Sequence, residues 1–120
     1  MTKGKLKPVL PSLREKKRYL VYEVVSDKKI MDFRSVNDAI VNASLDFRGI
    51  SGTAKAGIIN LENKWSNEMQ KGILKTSHRQ VDNLRASLNF VKEIDGKEAI
   101  VKSVGISGIL KKAENKFMKN

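Results

Sequence analysis

The side chains in this sequence that could do chemistry are mainly cations, and they are grouped along the chain. Residues 1–18 contain seven Lys or Arg and one Glu. The whole chain has 24 Lys and Arg against 13 Asp and Glu, a formal charge of +11 at pH 7. Such an excess predicts a polyanionic partner, because Lys and Arg neutralise phosphates and displace their counterions. The candidate phosphate contacts in this first segment are Lys5, Lys7, Arg14, Lys16, Lys17 and Arg18.

Further candidates adjoin the starts of two predicted helices. Ser77, His78 and Arg79 precede one helix, and residues 105–108 (GISG) precede the other. Free backbone N–H groups and the helix dipole favour an anion there, although plain capping is an alternative. Arg79 is locally unfavourable in that place by about 0.3–1 kcal/mol, which suggests a phosphate partner. The candidates outside the first segment are Lys71, Lys75, His78, Arg79, Ser107, Gly108, Lys111 and Lys112.

The residue types that usually catalyse reactions or bind metals do not show the spacing of a catalytic or metal site in this sequence. His78 is the single histidine, and acid–base cleavage of RNA would normally need a second group. The absence of cysteine excludes a zinc ribbon and a disulfide framework. Asp32, Asp38 and Asp46 fall on one predicted helix without sharing a face. We therefore expect no catalytic residue, no metal site and no bound cofactor in the protein itself.

Periodic apolar patterns predict the elements that position these side chains. Residues 19–25 (YLVYEVV) are predicted to form a strand that is apolar on both faces and therefore covered on both sides. The apolar spacing of residues 33–48 predicts a helix, with Asp32 as N-cap and Gly49 as its end. A small-residue loop over 49–57 follows. The remaining strands are predicted at 58–62, 71–76 and 91–94, with a last strand around 98–106 after an Asp95-Gly96 hairpin turn. The remaining helices are predicted from Val81, behind a capping box at 77–80, and at the C-terminus along Leu110, Ala113 and Phe117.

The order of these elements predicts an α+β fold of the ferredoxin-like, RRM-like class. It is the split β-α-β-β-α-β sandwich with an added C-terminal helix. Residues 1–11 are predicted to be a flexible basic arm, and residues 12–120 to form a single α+β domain. This topology occurs in RNA-recognition domains, enzymes and regulatory domains alike, so that it does not assign a function.

Stacking of bases on the open sheet face is the usual mode by which this topology binds RNA. It requires aromatic residues in the central strands, in a signature near K/R-G-F/Y-G/A-F-V-x-F/Y. Residues 71–77 (KGILKTS) keep the Lys-Gly start and lack the aromatics, and Tyr19 and Tyr22 lie on opposite faces. We therefore expect contact with phosphates and RNA shape, and a C-terminal helix that covers the open face. An ordinary solvated surface is the alternative for every charged residue.

Two places are candidates for contact with another protein. The small side chains after residue 48 would allow close approach of a backbone, and Trp is enriched in interfaces. An ordinary loop and a half-buried structural Trp are the alternatives. The candidate interface residues are Gly49, Ile50, Ser51, Gly52 and Trp65.

Five stretches, in order and in spacing, resemble one known family. They are residues 12–25 (SLREKKRYLVYEVV), the Gly-rich passage at 49–56, the strand-to-helix centre at 70–88 (QKGILKTSHRQVDNLRASL), Asp95-Gly96 after Ile94, and the ending from Val104-Gly105-Ile106-Ser107-Gly108 to Phe117. The family is the ribonuclease P protein of archaea and eukaryotes that archaeal nomenclature calls component 2. The resemblance extends over about residues 8–118. Lys75 stands where the family's pattern leads us to expect Arg, whose planar fork suits bidentate phosphate contact.

The resemblance implies a role in a ribonucleoprotein. Such proteins are subunits of ribonuclease P, an RNA-based endoribonuclease that removes the 5′ leader from precursor tRNA, and eukaryotic members also serve RNase MRP. The RNA subunit performs the hydrolysis with bound Mg²⁺, and the protein alone is not expected to be catalytic. The implied partners are ribonuclease P RNA, precursor tRNA and a TIM-barrel protein subunit. The resemblance implies a heterodimer of the TIM-barrel subunit with the present one, and two copies of each can join through the present subunit.

Two other function classes remain open from the residues alone. A stand-alone RNA-binding or ribosome-associated protein would need neither a second subunit nor a specific catalytic RNA. A small-molecule-binding regulatory domain would need a ligand pocket, and the charge of +11 argues against it. No apolar run reaches the roughly 20 residues of a membrane span, and no signal segment follows Met1, so that we expect a cytoplasmic protein.

Overall fold

The computed structural model describes residues 16–119. The predicted arm at 1–11, with Lys5 and Lys7, lies outside the described residues, as does Arg14. The strands are β1 (Lys17–Ser26), β2 (Ile59–Asn60), β3 (Lys71–Ser77), β4 (Glu93–Ile94) and β5 (Lys97–Ser107). The α-helices are α1 (Phe33–Ala56), α2 (Val81–Ser87) and α3 (Leu110–Phe117), and 3₁₀ turns lie at Glu62–Lys64 and Leu88–Phe90. None of these described helices is both long and apolar enough to cross a membrane.

The five strands form one antiparallel sheet in the order β2-β3-β1-β5-β4. β1 lies in the centre and pairs with β3 on one side and with β5 on the other. The chain therefore follows the β-α-β-β-α-β order of a ferredoxin-like fold, to which the short strand β4 and the helix α3 are added. The predicted α+β class, the order of elements and the added C-terminal helix are confirmed.

β1 is covered on both faces, as its double apolar pattern predicts. Leu20, Tyr22 and Val24 are buried in the core that α1 and α2 share with the sheet. Val21 is fully buried on the opposite face. In the pairing with β5, the register shifts after Val21, and the extra residue Val104 forms a bulge.

α1 starts as predicted and ends later than predicted. The Asp32 carboxylate accepts a hydrogen bond from the N–H two residues on, at 3.1 Å, which confirms the predicted N-cap. Gly49 departs from helical geometry (φ 75°, ψ 179°), but the helix resumes and continues to Ala56. It ends at Gly57, whose φ of 56° is left-handed. Gly49 thus interrupts the helix at the predicted position, but the loop predicted at 49–57 is wrong, because residues 50–56 are helical.

Contacts across the kink explain why the small residues after Gly49 are helical. The Arg48 guanidinium extends past the kink and donates to the carbonyl of Gly52 at 2.9 Å. The hydroxyls of Ser44 and Thr53 share a hydrogen bond of 2.9 Å between the two halves of the helix. Glycine lowers helix propensity by about 1 kcal/mol, and these contacts override it.

The capping box predicted at residues 77–80 is also wrong. Ser77 is the last residue of β3, and its hydroxyl accepts from the N–H of Arg79 at 3.3 Å rather than from the third residue of a helix. Gln80 precedes α2 and gives it no side-chain cap. Val81 and Leu84 nevertheless lie in the core, as the helical spacing predicts.

The edge strands are shorter than predicted. β2 has two residues where the sequence predicts a strand at 58–62, and β4 has two where it predicts 91–94. The Asp95-Gly96 turn is confirmed, with φ of 54° and 73° at its two central residues. Positive φ at both positions is the geometry of a tight hairpin turn.

α3 lies against the sheet face opposite to α1 and α2. Ala113 is fully buried in a cluster with Val21 and Ile73. A Cβ on Gly105 would overlap the ring of Phe117, so that the helix sits directly on the backbone of β5. The prediction that the C-terminal helix covers this face is confirmed.

Candidate nucleic-acid interface

The start of β1 lies beside the ends of β3 and β5, because both neighbours run antiparallel to it. Lys17 is paired with Ser77, and Tyr19 is paired with Lys75 on one side and Ser107 on the other. α2 follows β3 and α3 follows β5, so that their first turns belong to the same end of the sheet. We call this region the basic end and define it by Lys16, Lys17, Arg18, Lys75, His78, Arg79, Ser107, Gly108, Lys111 and Lys112.

Lys71 is the described candidate that does not belong to the basic end. It begins β3 and therefore lies at the other end of the sheet. Its ammonium donates to the carbonyls of Phe117 (3.2 Å) and Lys119 (3.4 Å) at the end of α3. A cation there stabilises the helix through its dipole, which gives Lys71 a role within the protein.

The cations of the basic end have no acidic partner within the described residues. The ion pairs of residues 16–119 lie elsewhere and join Lys64 to Glu114, Arg85 to Asp82 and Lys97 to Asp95. Seven Lys and Arg side chains therefore concentrate positive charge at one end of the sheet. Such a surface attracts phosphates in a salt-dependent manner.

Hydrogen bonds hold the first residues of the basic end in place. The backbone N–H of His78 donates to the carbonyl of Lys16 at 2.8 Å, and its Nδ1 lies 3.2 Å from the same oxygen. The Arg18 guanidinium donates to the carbonyl of Lys17 at 3.0 Å. His78 thus positions the basic segment that leads into β1.

Ser107 forms the turn that leads into α3. Its hydroxyl accepts from the N–H of Ile109 and donates to the carbonyl of the same residue, both at 3.1 Å. Ile109 itself is the N-cap and makes no side-chain hydrogen bond. The hydroxyl of Ser107 is thus engaged within the protein, which favours the capping alternative for this side chain.

Tyr19 lies in this region, although the sequence did not predict it as a residue of the site. It is partly buried and packs against the apolar residues beneath α3. Its hydroxyl makes no hydrogen bond to any residue between 16 and 119. The RNA-binding signature requires several aromatic residues on one face of the sheet. Tyr19 has no second aromatic of that signature beside it, because Tyr22 lies on the other face. Its pairing with Lys75 could have been predicted only from the strand register.

Arg48 is a second residue that the sequence did not indicate. Its Nη2 donates to the carbonyl of Gly52 (2.9 Å) and to Oε1 of Gln80 (2.8 Å), which ties the kink of α1 to the start of α2. Its Nη1 is buried and has no hydrogen-bond partner in the described part of the chain. Burial lowers the pKa of the guanidinium.

The predicted protein-interface residues Gly49, Ile50, Ser51 and Gly52 lie at and after the kink of α1. Ile50 is 81% exposed. Phe47 belongs to the apolar spacing of residues 33–48 that predicts α1, but it is 42% exposed. It packs against Phe90, which is 47% exposed, at 5.1 Å between ring centroids. We call Phe47, Ile50 and Phe90 the α1 patch. Large exposed apolar side chains of this kind mark interaction surfaces.

Trp65 fits the structural alternative better than the interface prediction. Its ring is half-buried and stacks on Tyr22, at 6.1 Å between centroids and 20° between planes. Its Nε1 donates to Oδ1 of Asn67 at 2.6 Å. Trp65 therefore anchors the connection between β2 and β3 on the core.

The basic end is suited to binding rather than to protein-based chemistry. Within residues 16–119 no group of three or more His, Cys, Asp or Glu is arranged to hold a metal ion. His78 bonds to a backbone carbonyl and has no acidic or basic side chain among its hydrogen-bond partners there. The arrangement can hold a polyanion, and its described residues provide no acid–base pair.

Several archaeal proteins are similar to the chain along most of its length. Ribonuclease P protein component 2 of Thermococcus gammatolerans is 36% identical over 110 residues, which cover 90% of this chain and 88% of that protein. The protein of the same name from Pyrococcus furiosus is 36% identical over 112 residues, 93% of this chain and 91% of its own. That of Methanosarcina barkeri is 35% identical over 115 residues, 96% of this chain and 82% of its own.

A solved structure shares the fold. A chain in the cryo-EM structure of yeast ribonuclease MRP has a TM-score of 0.62 at 15% sequence identity, and the match covers 79% of this chain and 76% of that one. The sequence profile of the Rpp14/Pop5 family matches residues 18–118, which include the three described α-helices and the basic end except for Lys16 and Lys17. Together with the archaeal relatives, this match shows that the chain belongs to the Rpp14/Pop5 family of ribonuclease P proteins.

Proposed function

We propose that the chain is the RNA-binding protein subunit of a ribonuclease P that removes the 5′ leader from precursor tRNA in the cytoplasm. The proposal is carried by the charge of the basic end. Seven Lys and Arg side chains lie there, and none forms an ion pair with a carboxylate among residues 16–119. The names of the archaeal relatives support it. In this proposal the ribonuclease P RNA performs the hydrolysis with bound Mg²⁺, and the protein supplies cations that hold the RNA in place.

The proposed contacts at the basic end are made with phosphates and with RNA shape. α3 covers the middle of the sheet face over Val21 and Ile73, which removes the area on which bases would ordinarily stack. The cations are spread over β1, β3, the start of α2 and α3, so that they can meet phosphates of more than one nucleotide. Lys5, Lys7 and Arg14 precede β1 in sequence, and we assign them to the same RNA surface.

The proposed protein partner is a TIM-barrel subunit, which binds the α1 patch. Phe47 and Phe90 present a tilted aromatic pair to solvent, and desolvation of such a pair stabilises an interface. The kink lets a partner backbone approach the helix at Gly49, where an added Cβ would meet no atom within 4 Å. The heterodimer formed there could join a second one through this chain, to give two copies of each subunit.

Reconstitution tests the proposed function. This protein, its TIM-barrel partner and the cognate catalytic RNA are combined, and cleavage of precursor tRNA is assayed at low Mg²⁺. Cleavage that requires all three components, with none from the protein alone, supports the proposal. Cleavage that is indifferent to this protein contradicts it, and favours a stand-alone RNA-binding protein.

The salt dependence of RNA binding tests the basic end directly. Changing Lys16, Lys17 and Arg18 to Ala should lower the slope of log affinity against log salt by up to roughly 2.7, at about 0.9 for each lost phosphate contact. The control changes the exposed Lys28, Lys29 and Lys92, which lie beyond the other end of β1, and it removes the same charge. An unchanged slope in the first variant, or equal losses in both, would remove the basic end from the mechanism.

A further inference from the structure

One row of side chains crosses the sheet at the basic end. Ile59, Lys75, Tyr19 and Ser107 are successive partners on β2, β3, β1 and β5. Residues that are directly opposed on neighbouring strands have their side chains on the same face. This is the face that carries α3, and the helix covers the next row towards the middle of the sheet. The row therefore lies at the boundary of the covered area.

The row combines apolar surface with two polar groups that have no hydrogen-bond or ion-pair partner among residues 16–119. Ile59 is 53% exposed, and Tyr19 is partly buried. A Tyr hydroxyl in such a setting usually has a hydrogen-bond partner, but that of Tyr19 has none among the residues from 16 to 119. Lys75 is half-buried between these two side chains and forms no ion pair in the same part of the chain. Ser107 does not share this property, because its hydroxyl bonds to Ile109.

We propose that this row binds one unpaired nucleotide of the RNA, with the base against Tyr19 and Ile59 and the phosphate on Lys75. The proposal rests on the RNA binding assigned to the basic end. Any base can stack on an aromatic ring, because every base has a π-face. Neighbouring strands lie about 4.8 Å apart, which places the ammonium within reach of the phosphate of a nucleotide stacked on Tyr19. A base in a duplex cannot bind in this way, so that the site selects unpaired nucleotides.

The first test compares two variants of one residue. Tyr19→Leu should lower the affinity for an RNA with unpaired nucleotides by about five- to 150-fold. It should leave the salt slope unchanged, because stacking releases no counterion. Tyr19→Phe keeps the ring and should retain most of the affinity, and a fully paired RNA should bind all three proteins equally. Equal affinity of Tyr19→Leu and the unaltered protein for the unpaired RNA would overturn the proposal.

Ultraviolet crosslinking gives a second readout that needs no variant to fold. The unaltered protein is irradiated in complex with RNA and cleaved with trypsin, which releases residues 19–28 as one peptide. Tyr22 in that peptide is fully buried, so that an adduct on Tyr19 is the expected result. Adducts confined to other peptides would contradict the proposal. The proposal would also be overturned if Tyr19→Leu weakened binding to the TIM-barrel subunit and left RNA binding unchanged, because the row would then belong to the protein interface.

The triple Ala variant of the basic end separates this proposal from the proposed function. If that variant keeps the full salt slope, RNA binding at the basic end fails, and the nucleotide site fails with it. If the triple variant loses slope while Tyr19→Leu binds unpaired RNA normally, only the nucleotide site is overturned.

Discussion

Replacing Gly105 by Ala should displace the ring of Phe117 from its place on the sheet. An ideal Cβ on Gly105 would overlap that ring, and no other residue supplies the nearest atoms. The backbone of Gly105 is held in the sheet by its pairing with Val21. Gly105 is not among the residues with positive φ, so that the cost of the added methyl group is steric. The aromatic ring must therefore move.

The size of the effect follows from two ways of relieving the overlap. Forcing one extra methyl group into a packed core lowers the free energy of unfolding by about 1–3 kcal/mol. Lifting α3 from the sheet would uncover Val21 and Ile73, both fully buried, at about 1.5–3 kcal/mol each. The first cost is the smaller one, so that α3 should stay docked with a shifted ring. Tm should fall by roughly 4–8 °C for each kcal/mol lost.

Urea unfolding of a double-mutant cycle measures the coupling between the two positions. In a Phe117→Ala background the added methyl group occupies space that the ring has left. Gly105→Ala should therefore hardly change the free energy of unfolding in that background. Gly108→Ala is the matched control, because the nearest atom to its Cβ would be the end of the long, flexible Arg18 side chain, at 3.3 Å. Equal costs of Gly105→Ala in both backgrounds would refute the steric reasoning.

Two more predictions concern side chains whose polar groups form hydrogen bonds within the protein, Tyr22 and Lys71. Burial raises the pKa of Tyr22 above its ordinary value of 10.0, so that the unfolded state ionises first and the unfolding free energy should fall as pH rises above 10. Tyr22→Phe should flatten that fall in urea titrations between pH 8 and 11, and an equally steep fall in the variant would contradict the assignment. Lys71→Met should destabilise the protein by about 0.3–1 kcal/mol through the end of α3. It should leave the salt slope of RNA binding unchanged, and a slope lowered by about 0.9 would restore Lys71 as a phosphate contact.

The elements that local chemistry decides could be predicted from the sequence. The double apolar pattern of residues 19–25 predicts a strand covered on both faces, because each face must then be buried. Asp32 supplies the acceptor that the first N–H groups of α1 lack, and Asp95-Gly96 tolerates the positive φ of a tight turn. Each of these features is decided within a few residues, so that one sequence is sufficient to identify it.

The features that depend on distant partners could not be predicted in the same way. The helix after Gly49 is held by Arg48, which reaches Gln80 at a separation of 32 residues. The carbonyl of Ala56 near the end of α1 accepts from the hydroxyl of Thr76 on β3, at 2.6 Å. A glycine pattern alone contains neither partner, so that it indicates a loop where the fold has a helix.

The candidate site could be predicted as a set of cations, but its extent could not. Lys71 and Lys75 stand four positions apart on one strand, about 13 Å at the usual rise per residue. That distance puts Lys75 in the basic end and Lys71 under the last turn of α3. Which cations share a surface is set by strand pairing, which composition does not report. Tyr19 shows the same limitation, since its neighbours Lys75 and Ser107 belong to other strands.

α3 determines how this version of the fold can bind RNA. Over Val21 and Ile73 it occupies the area on which a ferredoxin-like domain would stack bases. Its first turn also brings Lys111 and Lys112 to the basic end, so that the helix that removes a stacking area adds two cations beside it. α3 can pack this closely on β5 because Gly105 has no side chain. A substitution that loosens α3 should therefore lower both the free energy of unfolding and the salt slope of RNA binding. If α3 served only the stability of the fold, the same substitution would lower the free energy of unfolding and leave the salt slope unchanged.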